Sequence, residues 1–103
     1  MIHAVKELPE YYEAVKDGSK RFEVRKDDRP YEVGDYLALN EYDVSGYTGR
    51  SMLFKITYVL RSHLYCKEGY AILGIAPCGI VCEGDEPFRA VPRFELGGDQ
   101  NDR

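Results

Sequence analysis

A chain of 103 residues with 44% hydrophobic content can bury one small core, which leaves no room for a second catalytic domain. Its net charge of −4 excludes a general nucleic-acid coat protein, which needs many Lys and Arg to neutralise phosphates. No apolar run approaches the roughly 18 residues of a membrane span, so no membrane partner is expected.

From the N-terminus, Ile2 to Lys6 reads as a short strand. Pro9 then suits a first helical position, with Glu10 and Glu13 near the positive end of the dipole. Leu8, Tyr11 or Tyr12, and Val15 recur at helical spacing, Lys16 falls in the last turn, and Gly18 can close the helix in a left-handed conformation. Strand signals take over in KRFEVRK, YLALNEY, SMLFKITYVL and GYAILGI, separated by DDRPYEVGD and by DVSGYTGR, a hairpin loop from Tyr42 to Ser51. Beyond Ala76 the pattern weakens, although Ile80 and Val81 can extend a strand. The expected fold is α+β, mainly β: one short N-terminal helix and about five or six strands curling into a small barrel that hides its edges.

Residues 1–82 form the expected domain, and 83–103 an acidic extension, partly disordered, that carries −3 of the −4. Cys66, Cys78 and Cys82 are odd in number and late in the chain, which fits a reducing compartment and no disulfide framework. With no signal-like apolar segment in MIHAVKELPE, a cytoplasmic location is expected.

Against this acidic balance, five of the fourteen basic residues crowd between Lys20 and Arg29 around the single Glu23. If Lys20 to Lys26 is a strand, Phe22 and Val24 point one way, toward the core, and Arg21, Glu23 and Arg25 the other. A carboxylate between arginines holds their guanidinium groups in place, and such a face can meet a phosphate or a base edge. The same pattern also describes a solvated surface with weak ion pairs.

GSKRFEVR, Gly18 to Arg25, fits G-x-K-x-x-E-x-R, and this motif resembles that of the ASCH superfamily, small β-barrels similar to PUA domains and proposed to bind RNA. The similarity runs from about Ile2 to Ala76 through the helix, the VGD turn, YTGR, ITYVL and GYAILGI, and resembles a prokaryotic and phage branch of the superfamily. It implies a cleft walled by Lys20, Glu23 and Arg25, with His3, Lys6 and Arg29 as neighbours. It also implies an alternative, since some members are amidohydrolases acting on acylated cytidine nucleosides through a motif lysine, a threonine three residues later and a distant glutamate. Here Lys20 is present, but Glu23 stands at the threonine position, so any such chemistry needs Glu23 as base. Glu41 and Glu68 are the candidates for the distant glutamate.

Tyr42, Tyr47 and Tyr58 can stack bases or pack the core, and Arg50 can meet a phosphate or blunt an edge strand. His63, Cys66, Cys78 and Cys82 are weak zinc candidates with no C-x2-C pair, and PCGIVC has one residue too many for a zinc deaminase signature. No cofactor is expected. The leading reading is a module binding RNA or a small nucleotide-like ligand; the alternatives are an amidohydrolase on a modified nucleoside and a phage or host protein-interaction module using the C-terminal segment.

Overall fold

The computed structural model describes residues 1–82, so the acidic extension and the protein-partner reading built on it lie outside the described residues. The elements are β1 (Ile2–Glu7), α1 (Pro9–Lys16), β2 (Phe22–Lys26), β3 (Tyr36–Asp43), β4 (Gly46–Leu60) and β5 (Tyr70–Cys82). Pro9 opens α1 where an amide proton would have no partner, Glu10 and Lys16 complement the dipole, and Tyr12 and Val15 are the buried side.

The five strands make one sheet in the order β1-β3-β4-β5-β2, with β1 parallel to β3 and every other pair antiparallel. It curls into a half-barrel whose two edges are β1 and β2. The inside is filled by Val5, Leu37, Leu39, Met52, Ile56 and Leu73, with Tyr12 and Val15 of α1 plugging it. No described helix is long and apolar enough to cross a membrane.

One stretch differs from the sequence reading. The hairpin is tighter than a loop from Tyr42 to Ser51: β4 begins at Gly46, Tyr42 pairs with Tyr47, and only Val44 and Ser45 turn the chain. Gly46, at φ 109°, takes the left-handed backbone that so short a turn demands. β5 runs past Ala76 to Cys82, taking in Ile80 and Val81 as the sequence allows. Pro77 and Gly79 did not end it; Leu53 pairs with Ile80 and Phe54 with Pro77, so Cys78 and Gly79 are extra residues taken up in a bulge.

Candidate ligand-binding site

The site begins where α1 ends. Gly18, at φ 89°, reverses the chain, and the Lys20 amide donates to the Ala14 carbonyl (3.0 Å), fixing where the lysine leaves the helix. A β-carbon at Gly18 would also meet Arg21 Nη2 at 3.1 Å. Gly18→Ala is therefore expected to cost about 1 kcal/mol of stability, read as a lower urea midpoint with an unchanged slope.

Alternation along β2 is as expected, but its faces are reversed. Glu23 and Arg25 are buried, 2% and 4% exposed, whereas Phe22 and Val24 stand 46% and 52% exposed. The reason is the company inside the curl: Glu7, at the end of β1, is also buried and bonds Arg25 across the gap between the two sheet edges. Arg25 Nη2 donates to the Lys6 carbonyl (2.6 Å), to Glu7 (3.1 Å) and to Glu23 (3.2 Å). Lys20 Nζ donates to Glu23 (2.8 Å) and to the Phe22 carbonyl (2.8 Å), and lies 3.9 Å from Glu7 Oε2. Burying Glu23 and Arg25 is tolerable because each charge meets an opposite one. Arg21, expected on this face, precedes the strand, is exposed, and caps the Gly18 carbonyl instead (3.2 Å).

Two buried carboxyls over two cations do not ionise alike. Burial, and then the neighbouring Glu23, push Glu7 up to about 9. Burial also pulls Glu23 upward, but its hydrogen bond with Glu7 and the charges of Arg25 and Lys20 outweigh that and hold it below the ordinary carboxylate range. Among the described residues no donor reaches Glu7 Oε2, and burial together with the facing Glu23 favours the protonated form of Glu7, whose proton can be shared toward Glu23. At neutral pH the four groups then carry a net single positive charge.

Above this floor opens a pocket of about 410 Å³. Glu7, Glu23 and Arg25 lie at its base, Lys6 and Lys20 on its sides, and Leu8, Tyr11, Phe22 and Val24 around its rim. The four rim residues are each between 39% and 52% exposed, an apolar collar with two aromatic rings around a charged floor. Lys20 Nζ lies over both rings, 4.9 Å from the centre of Phe22 and 5.7 Å from that of Tyr11. Such an arrangement can hold a flat ligand by its faces and read its polar edge.

The structure thus brings together Lys20, Glu23, Arg25 and Lys6, and sets His3 and Arg29 apart. His3 is buried nearer the start of β1, 2.8 Å from Asp35 and with its ring tilted against Tyr31 (4.8 Å). Arg29 donates to the Ala4 carbonyl (3.3 Å) and also lies over Tyr31. Neither lines the pocket. Glu41 is taken by Arg50 and Thr48, and Glu68 lines a separate loop cavity, so neither is the second glutamate of this site. Arg50 binds Glu41 and Glu13 and covers the Tyr12 ring, tying the hairpin to α1. Tyr42 and Tyr47 pack edge to face (4.8 Å) beneath Lys6, while Tyr58 is 62% exposed. His63 and Cys66 share the loop cavity and Cys78 sits in the β5 bulge; among the described residues no three His, Cys, Asp or Glu gather as a metal site.

Sequence reasoning missed Glu7 and the apolar rim. Glu7 sits between a strand and a Leu-Pro helix start, where an acid reads as part of the helix opening; only the two-residue period from His3 through Val5 places it on the inward face.

Comparison with known proteins reaches the same stretch. A family model described as "Domain of unknown function (DUF3850)" matches residues 2–75, which include every residue of the pocket. The "Uncharacterized 12.9 kDa protein in GpA 3'region" of Escherichia phage P2 is 47% identical over 58 residues, covering 56% of this chain and 53% of that protein. The chain spans about half the length of this curated relative.

Proposed function

This chain belongs to the DUF3850 family, a domain of unknown function, and from the pocket that the family match contains we propose that it is a nucleic-acid-binding module taking one unpaired base of RNA, or a free nucleotide-like ligand. The observation that carries the reading is the collar of Tyr11 and Phe22 over a floor of Lys20, Glu23, Arg25 and Glu7. Aromatic rings accept the face of any base, and charged donors and acceptors below them select among base edges. The G-x-K-x-x-E-x-R strand agrees with a finer assignment, to the PUA-like ASCH superfamily, whose cleft would be this pocket. Few cations reach the opening, so affinity is modest and falls with salt.

Titration of the isotope-labelled protein with a short single-stranded RNA of mixed sequence tests this. Amide shifts are expected around 6–11 and 18–25, weakened by salt and reduced about tenfold in affinity by Tyr11→Ala or Phe22→Ala, whose exposed rings can be removed without opening the core. Shifts elsewhere, or unaffected by both substitutions, would overturn the reading.

A second reading, hydrolysis of an amide on a modified nucleoside, is favoured by one observation: Glu7 supplies beside Lys20 the second glutamate that the sequence left unplaced. A proton-bearing Glu7 next to an ionised Glu23 is an acid and base pair. Against it, Lys20 Nζ is engaged by Glu23 (2.8 Å), and the motif position three residues after it holds that carboxylate where the resemblance calls for a threonine hydroxyl. Incubation with N-acylated nucleosides decides: release of the acid, lost in Glu7→Gln, establishes hydrolysis, and no release at high enzyme concentration dismisses it.

A further inference from the structure

The floor of the pocket presents donors and acceptors in a definite order. Lys20 Nζ gives one bond to Glu23 and one to the Phe22 carbonyl, which leaves one of its three N–H groups for a ligand. Next to it, 3.9 Å away, is Oε2 of Glu7, a residue that lines the pocket; this oxygen is buried and has no hydrogen-bond donor among the described residues. The other Glu7 oxygen accepts from Arg25 and keeps a further lone pair. Any proton on Glu7 is engaged toward Glu23, so toward the ligand this carboxyl offers acceptors only.

Resting on the pocket reading above, we propose that the ligand is a guanine base, held by its Watson–Crick edge. Guanine carries along one edge a carbonyl oxygen and then two adjacent N–H donors. Set into the pocket, the carbonyl meets the free N–H of Lys20 and the two donors meet the Glu7 carboxyl, while Tyr11 and Phe22, which line the same pocket, border the base. Adenine and cytosine present one amino donor beside an acceptor, and uracil one donor between two carbonyls. Each can satisfy Lys20 and Glu7 Oε2 but brings no second donor to the Glu7 oxygen that already accepts from Arg25, so guanine gains one further charge-assisted hydrogen bond over them.

A consequence follows for the proton on Glu7. The groups that face it are Lys6 from β1, Tyr11 and Lys20 from α1 and its end, and Glu23 and Arg25 from β2. Two ligand N–H groups arriving on the carboxyl stabilise its ionised form, so the proton leaves to the buffer as guanine binds. A ligand that offers only acceptors leaves the proton in place.

The test is calorimetry of the full chain with GMP, IMP, AMP, CMP and UMP, near neutral pH, in two buffers of different ionisation enthalpy. IMP keeps the guanine ring and its carbonyl but lacks the second donor. The expected result is GMP tighter than IMP by on the order of tenfold, release of about one proton with GMP, and in Glu7→Gln a loss of both the preference and the release. The wild-type proton count stands by itself should Glu7→Gln fold poorly. Equal affinity for all five nucleotides, GMP binding with no proton released, or a GMP preference that survives Glu7→Gln would overturn the guanine assignment while leaving the pocket reading intact. Absence of pocket shifts with every nucleotide and with the mixed RNA would overturn the pocket reading itself.

Discussion

Arg25→Ala is expected to lower the stability of the domain by about 3–5 kcal/mol, the largest effect of any single change at this site. The guanidinium is 4% exposed and bonds both buried carboxyls and the Lys6 backbone carbonyl. Removing it leaves Glu7 and Glu23 facing each other with only Lys20 between them and unties β1 from β2, the two open edges of the sheet. Small domains have about 5–15 kcal/mol in total, so the loss is a large fraction of what there is. Urea unfolding followed by circular dichroism measures it. Arg25→Lys separates charge from geometry: it keeps the cation, but its shorter side chain does not bring the donor to where Nη2 meets its three acceptors, and an intermediate loss is expected. Arg25→Met combined with Glu7→Gln and Glu23→Gln removes the ionisable groups together, and recovery of most of the stability would show that the cost lay in the buried carboxyls left without their cation. A loss below about 1 kcal/mol in Arg25→Ala would mean that water reaches the floor and solvates it.

That one arginine closes the curl also explains how much was legible in the sequence. The helix was readable because Pro9, Glu10, Lys16 and Gly18 are local signals that act within a few residues. The strands were readable from their period, and β2 kept its alternation. Its inward face was not, because sequence patterning assigns apolar residues to the inside, and here Phe22 and Val24 are outside, around the pocket. The buried polar face of β2 exists only because Glu7, sixteen residues before Glu23 in the chain, arrives on the opposite edge. Long-range pairing of this kind leaves no local trace. The grouping of Lys20, Glu23 and Arg25 came from the family resemblance together with alternation, and their contact distances now make it concrete. His3 and Arg29 were drawn in by closeness to the motif, but β1 runs lengthwise past the site and only its last residues reach the pocket.

Glu7→Gln is expected to leave the protein little changed in weak acid and to make it more stable than the wild type in mild alkali. The sign follows from where each carboxyl titrates. Glu7 rises from an ordinary 4.5 to about 9 on folding, so its contribution to stability is fully present below 4.5 and is lost as pH climbs toward 9. Across that window the unfolded chain has given up a proton that the folded one retains, and stability falls by as much as about 1.4 kcal/mol per pH unit. Glu23 acts oppositely: its carboxyl is lowered on folding, so its contribution is present above the ordinary carboxylate range and lost as pH falls through the folded value. Stability from the cluster therefore peaks in weak acid, where Glu7 holds its proton and Glu23 has lost its own. A glutamine at position 7 keeps the neutral shape of protonated Glu7, with an oxygen for Arg25 and an N–H for Glu23, and has no proton to lose. Urea midpoints taken at about one-unit steps from weak acid to mild alkali should decline in the wild type and stay flat in Glu7→Gln. Parallel curves would mean that Glu7 is ionised in the folded protein throughout, and the shared proton on the pocket floor would have to be given up.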